Sequence, residues 1–154
     1  MSETTERLRI FVDADVLFAG SASPTGASHI VLVLAELGII EAIVSGQVRQ
    51  QVERNLIAKL PAALPAFRAV VDLCCRAVAD PDPSASSGLA QAGLVHPKDA
   101  PILAAAIAHD CRWLVTFNVR DSRPGERIRV ATPGDFLEEA RQRLAGMPES
   151  GHGG

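Results

Sequence analysis

The sequence predicts a single-domain parallel α/β sandwich, and three observations carry that prediction. Short apolar runs such as LRIFV, opening at Leu8, suit strands covered on both faces. Stretches with helical periodicity lie between those runs, and strands that alternate with helices give parallel sheets with right-handed crossovers. The chain of 154 residues, 47% hydrophobic and 21% charged, is long enough to bury a real core.

Taken in order, residues Met1 to Arg7 are polar and expected to fray. The first strand runs from Leu8 to Asp13. A Gly/Ser/Pro segment, Gly20 to Ser28, reads as a connection. Ile30, Val33, Leu34 and Leu37 then recur with helical spacing and stop at Gly38. Glu41 to Val44 is a second strand, and Ser45 can cap a helix that reaches Lys59 and ends before Pro61. A helix is predicted over Ala62 to Arg76, with Leu64, Phe67, Val70, Val71 and Cys74 on one stripe. Val78 falls in a short strand before the turn cluster DPDPSASSG. Pro97 suits the first turn of a helix ending near His109, and Arg112 to Thr116 is a strand. Ile128 to Val130 is the last strand. Thr132 caps the last helix, with Pro133 at its first position and Asp135 at the capping-box site. Gly146 to Gly154 reads as a flexible tail. The division is therefore an N-terminus at 1–7, one domain at 8–145 and a tail at 146–154.

Composition narrows the function. A net charge of −3 and a pI of about 5.8 give no global attraction to nucleic acid, so any such binding must come from a local patch. Cys74, Cys75 and Cys111 form no CxxC pair, which points to buried thiols in a reduced, cytoplasmic setting. The N-terminus is too polar for a signal peptide, and the apolar stretch from Ile30 to Leu37 is too short to span a bilayer.

The acids carry the chemistry. Asp13 and Asp15 follow the first strand, at the carboxyl end where open parallel sheets bind ligands. Asp99 stands in the first turn of the helix opened by Pro97, and Asn118 and Asp121 follow the strand ending at Thr116. Glu53, inside its helix, can reach the same edge. Taken singly, each has an ordinary reading. Asp13 and Asp15 are helix caps, Glu53 is a solvated helix face, Asp99 is a favourable charge at a helix start and Asp121 is a turn residue. Taken together, converging carboxylates are costly unless divalent cations neutralise them. Carboxylates with few His or Cys nearby favour hard ions, hence Mg²⁺ or Mn²⁺.

The order of these residues resembles the PIN-domain family, and within it the VapC-like toxins. The matching pieces are Asp13-Ala14-Asp15-Val16-Leu17, Glu53 in VERNL, Asp99 in KDAPILAAAIA, Val115 to Asp121, and Thr132 to Leu137. Ala14 stands where many members carry Thr or Ser, Asn118 where many carry Asp, and Ser122 replaces a frequent Phe. The resemblance implies a three-layer α/β/α sandwich with a central parallel sheet and a metal-dependent endoribonuclease. By this resemblance Asp13, Asp99 and Asp121 hold one or two Mg²⁺ or Mn²⁺ ions, about 3.5–4 Å apart if two. Glu53 binds a second ion or orients water, Asp15 braces the loop, and Asn118 contacts water or phosphate. Thr116 shapes the site by bonding Asp13. Attack in line leaves 5′-phosphate and 3′-hydroxyl ends. Arg120, Arg123, Arg127 and Arg129 grip RNA phosphates, although such a cluster alone is an ordinary solvated loop. The implied partners are RNA, a cognate antitoxin of a type II toxin–antitoxin pair and a second copy of the chain, with no membrane.

Two other readings stand beside this one. A degenerate PIN domain would bind RNA or a protein without cutting. A haloacid-dehalogenase-like phosphatase would use Asp13 as nucleophile and Asp15 as acid/base, with Thr116 in its second motif. That family then needs a Lys, and no Lys follows Thr116 in this chain.

Overall fold

The computed structural model describes residues 7–121 and 128–146. Five strands form one parallel sheet: β1 (Leu8–Val12), β2 (Ile40–Ser45), β3 (Cys75–Val78), β4 (Trp113–Val115) and β5 (Arg129–Ala131). Their spatial order is β3-β2-β1-β4-β5. Among the described residues there are seven α-helices. These are α1 (Ala14–Ala22), α2 (Ala27–Glu36), α3 (Gly46–Lys59), α4 (Leu64–Cys74), α5 (Pro83–Gln91), α6 (Ala100–Ala108) and α7 (Pro133–Gly146).

The most apolar run of the chain takes the central strand. Ile10, Phe11 and Val12 of β1 are fully buried, as a strand covered on both faces must be. Helices α1, α2, α4 and α7 pack on one another over one face, while α6 lies against β2 and β4 with α5 beside it. The fold is thus the three-layer α/β/α sandwich with a parallel sheet. At its far edge, Trp113 meets Phe136 edge-on with ring centroids 5.2 Å apart, which ties α7 to β4.

Local signals explain most boundaries. The Ser45 hydroxyl accepts from Val48 N–H and opens α3. Gly38 has φ 79°, and the Ile39 and Gly38 amides donate to the Leu34 and Ala35 carbonyls to close α2. Thr132 Oγ1 accepts from Asp135 N–H at 3.1 Å and opens α7.

Three expectations are corrected. The segment Gly20 to Ser28 is mostly helical: α1 runs through Gly20 to Ala22, and α2 begins at Ala27. Gly20 serves close packing there, because a Cβ would lie 2.7 Å from Leu32 Cδ1 and 2.9 Å from the Ser28 carbonyl oxygen. The helix expected over Ala62 to Arg76 ends at Cys74, and Cys75 to Val78 pairs with β2, so sheet hydrogen bonds overrode the apolar stripe. The DPDPSASSG cluster holds not a run of turns but the start of α5, whose first turn is capped by Asp82 accepting from Ser84 N–H at 2.9 Å.

Among the described residues, no single helix is long and apolar enough to cross a membrane. Cys74, Cys75 and Cys111 are free thiols, and burial pushes the last two up to about 12, which leaves them inert at neutral pH.

Candidate active site

The strand order creates a switch point. From β1 the chain moves outward through β2 to β3, then crosses back to β4 on the other side of β1. The crevice at the carboxyl ends of β1 and β4 is where such a sheet binds ligands. Asp13 leaves β1 there, its amide donating to the Val115 carbonyl at 3.0 Å, and Thr116 leaves β4 beside it.

Side-chain hydrogen bonds stitch the two strand ends together. Buried Thr116 donates its hydroxyl to Asp13 Oδ2 at 2.8 Å and accepts the Asn118 amide on the same oxygen at 3.1 Å. Asp13 Oδ1 accepts from Ala14 N–H at 2.7 Å, so the carboxylate that ends β1 also starts α1. Asp15 accepts from Val16 N–H with Oδ1 at 2.7 Å and from Phe117 N–H with Oδ2 at 3.2 Å. Asp15 therefore braces the loop after β4 from the first turn of α1.

Two half-buried carboxylates now stand side by side. Burial, and then the Asp13 charge, push the Asp15 carboxyl up to about 6 from 3.8, against the pull of its backbone donors. A carboxyl raised on folding favours the native state while protonated. That stability is full below pH 3.8 and is lost as pH rises through about 6. In EDTA the melting temperature of the protein should therefore fall between pH 4 and pH 7. Asp15→Asn should flatten that slope by about 1 kcal/mol, after allowance for the solvent exposure of the group.

The other acids arrive from separate elements. Asp99 ends the 3-10 turn Pro97–Asp99 at the start of α6, half-buried at the carboxyl edge, because α6 runs back towards the start of β4. His96 Nδ1 accepts from Lys98 N–H at 3.1 Å and shapes that turn, a part that its spacing in sequence did not signal. Asp121 closes the 3-10 turn Val119–Asp121 after β4, with its side chain outside the described residues. Glu53 is an ion-paired residue of α3. Its Oε2 accepts from Arg49 Nε at 3.2 Å, and its Oε1 lies 3.3 Å from Arg68 on α4. The Arg68 and Arg49 guanidiniums hold its carboxyl below the ordinary value. Among the described residues, no three His, Cys, Asp or Glu side chains converge as a metal set.

The arginines divide. Arg120 is exposed in the turn after β4, and Arg123 and Arg127 lie outside the described residues. Arg129 is not brought to the acids. It opens β5 opposite Trp113, at the amino edge of the sheet, where its guanidinium covers that ring at 4.4 Å and pairs with Glu139. Arg49 and Arg68 went unnoticed in the sequence. The four-residue spacing of Arg49 and Glu53 signals the first, but nothing local signals the second.

A family model described as the PIN domain matches residues 9–120. The chain belongs to the PIN-domain family. This PIN domain is similar in fold to VapBC2 from Rickettsia felis, solved bound to a DNA fragment from their promoter. That match has a TM-score of 0.62 at 15% identity and covers 80% of this chain and 98% of that one. It is also similar to PAE2754 from Pyrobaculum aerophilum, with a TM-score of 0.60 at 16% identity over 91% of this chain and 97% of the other. No curated protein matches it. At such identities the structural likeness concerns the fold.

The residues of this PIN domain fit a hard divalent cation by the chemistry of their donors. The switch point offers carboxylate oxygens of Asp13 and Asp15 and the Thr116 hydroxyl, with no thiol or imidazole among the side chains hydrogen-bonded there.

Proposed function

We propose that this PIN domain is a metal-dependent endoribonuclease and the toxin of a type II toxin–antitoxin pair. The observation that carries the reading is the Asp13–Asp15 carboxylate pair, half-buried at the switch point and held in place by Thr116 and Phe117. Stored negative charge of this kind favours a cation and, with it, a phosphodiester. Asp13, Asp99 and Asp121 would hold Mg²⁺ or Mn²⁺. When bound, the ion supplies Lewis acidity, lowering the pKa of water and offsetting charge that grows on the phosphate. Thr116 fixes the Asp13 carboxylate, Asp15 positions the loop carrying Asn118, and Arg120 is exposed for phosphate contacts that position RNA without reading its sequence. The likeness to VapBC2 supports a cognate antitoxin as partner. Leu37 and Leu73, 67% and 68% exposed at the ends of α2 and α4, support a homodimer surface.

The test is direct. The purified protein should cut single-stranded RNA in Mg²⁺ or Mn²⁺ to 5′-phosphate ends, and EDTA should stop it. RNA left intact by folded protein in millimolar Mn²⁺ would falsify the enzyme reading. The second reading, a PIN domain that binds without cutting, is favoured by one observation: both oxygens of Glu53 are occupied by arginines. Calorimetry separates the two, because a non-cutting module takes up no Mn²⁺.

A further inference from the structure

Both oxygens of the Glu53 carboxylate face cations. Arg49 Nε lies 3.2 Å from Oε2, while Arg68 reaches Oε1 with one NH group at 3.3 Å and Oε2 with Nε at 3.5 Å. The Glu53 side chain is 21% exposed and that of Arg68 is 52% exposed. The two arginines differ in origin. Arg49 sits one turn away on the same helix and moves with Glu53, whereas Arg68 comes from α4, and its fork can part from α3 without unwinding either helix. The cluster carries a net charge of +1, and it begins in the first turn of α3, which follows β2 at the carboxyl end of the sheet and packs against α1, the helix that Asp13 caps.

We propose that Arg68 is a substrate-released latch on Glu53. In the resting protein its fork neutralises Glu53 and keeps that carboxylate from a divalent cation. An incoming phosphodiester takes the same fork, since a guanidinium binds phosphate and carboxylate oxygens with one geometry. Glu53 Oε1, which Arg68 alone holds, is then free to meet the cation. Each ion pair broken is replaced by another, so the exchange costs little, and Arg68 joins the site as a positioning residue. RNA and metal therefore strengthen one another's binding by the same factor, as linkage requires. The inference rests on the nuclease reading and adds a regulatory contact to it.

The experiment measures Mn²⁺ affinity by calorimetry, with and without a nuclease-resistant 2′-O-methyl phosphorothioate oligonucleotide. Wild type should bind Mn²⁺ weakly alone and about fivefold more tightly with the oligonucleotide. Arg68→Gln should bind Mn²⁺ about fivefold more tightly with no oligonucleotide, because the Glu53 carboxylate is released from the fork that holds it. In a Glu53→Gln background the Arg68→Gln effect should vanish, as a double-mutant cycle demands of a direct pair. Equal Mn²⁺ affinity in wild type and Arg68→Gln overturns the latch and leaves the nuclease reading standing. So does an Arg68→Gln effect that survives in Glu53→Gln. Absence of Mn²⁺ binding in every protein, with or without the oligonucleotide, removes the nuclease reading and the latch together.

Discussion

Asp13→Asn should lower RNA cleavage by about 10³-fold while raising the melting temperature of the metal-free protein. The two effects have opposite signs for one physical reason. Asparagine keeps an oxygen to accept the Ala14 amide, so α1 retains its start. The Thr116 hydroxyl, which now donates to Oδ2, can rotate to accept from the new amide. Burial is the larger cause of the raised Asp15 carboxyl, and what disappears is the second, the Asp13 charge, so the native state is relieved of a repulsion and a cation loses its central ligand. Activity profiles with Mn²⁺ and melting curves in EDTA read the two halves separately. A variant that cuts RNA as fast as wild type would remove Asp13 from the catalytic centre. A variant less stable than wild type in EDTA would show that the acid pair is not strained.

Thr116→Val should lower cleavage by about 10- to 100-fold, the usual effect of losing a group that orients a metal ligand. The substitution keeps shape but removes a hydroxyl that serves both strand ends, donating to Asp13 Oδ2 and accepting the Asn118 amide. Thr116 is 2% exposed, so valine fits the space, and the cost falls on the two groups left without a partner. Thr116→Ser restores the hydroxyl and should recover most of the activity. Valine and serine variants of equal activity would reduce Thr116 to a packing residue.

Much of the site was legible because its signals are local. Asp13 follows an apolar strand, Asp99 follows Pro97 at a helix start, and Ser45 and Thr132 cap their helices as their positions suggest. The bond from Thr116 to Asp13, expected only through the family resemblance, spans 103 residues and is present. Where local signals misled, a long-range partner decided. The stripe that ends at Cys74 reads as a helix running on to Arg76 until β2 offers hydrogen bonds to Cys75 and its neighbours. Gly20 reads as a loop residue until Leu32 and Ser28 close on it from α2. Arg129 reads as part of a basic loop until Trp113 and Glu139 claim it.

By itself the sequence determined the parallel α/β class, the central strand and the order of the acids, since hydrophobic periodicity, caps and residue types are properties of short segments. Only the tertiary structure decided which charges meet. It set Asp15 against Asp13 and Phe117, and it gave Glu53 to Arg68, fifteen residues and one helix away. A carboxylate's neighbours are chosen by how helices cross and where strands end, and no spacing along the chain encodes that distance.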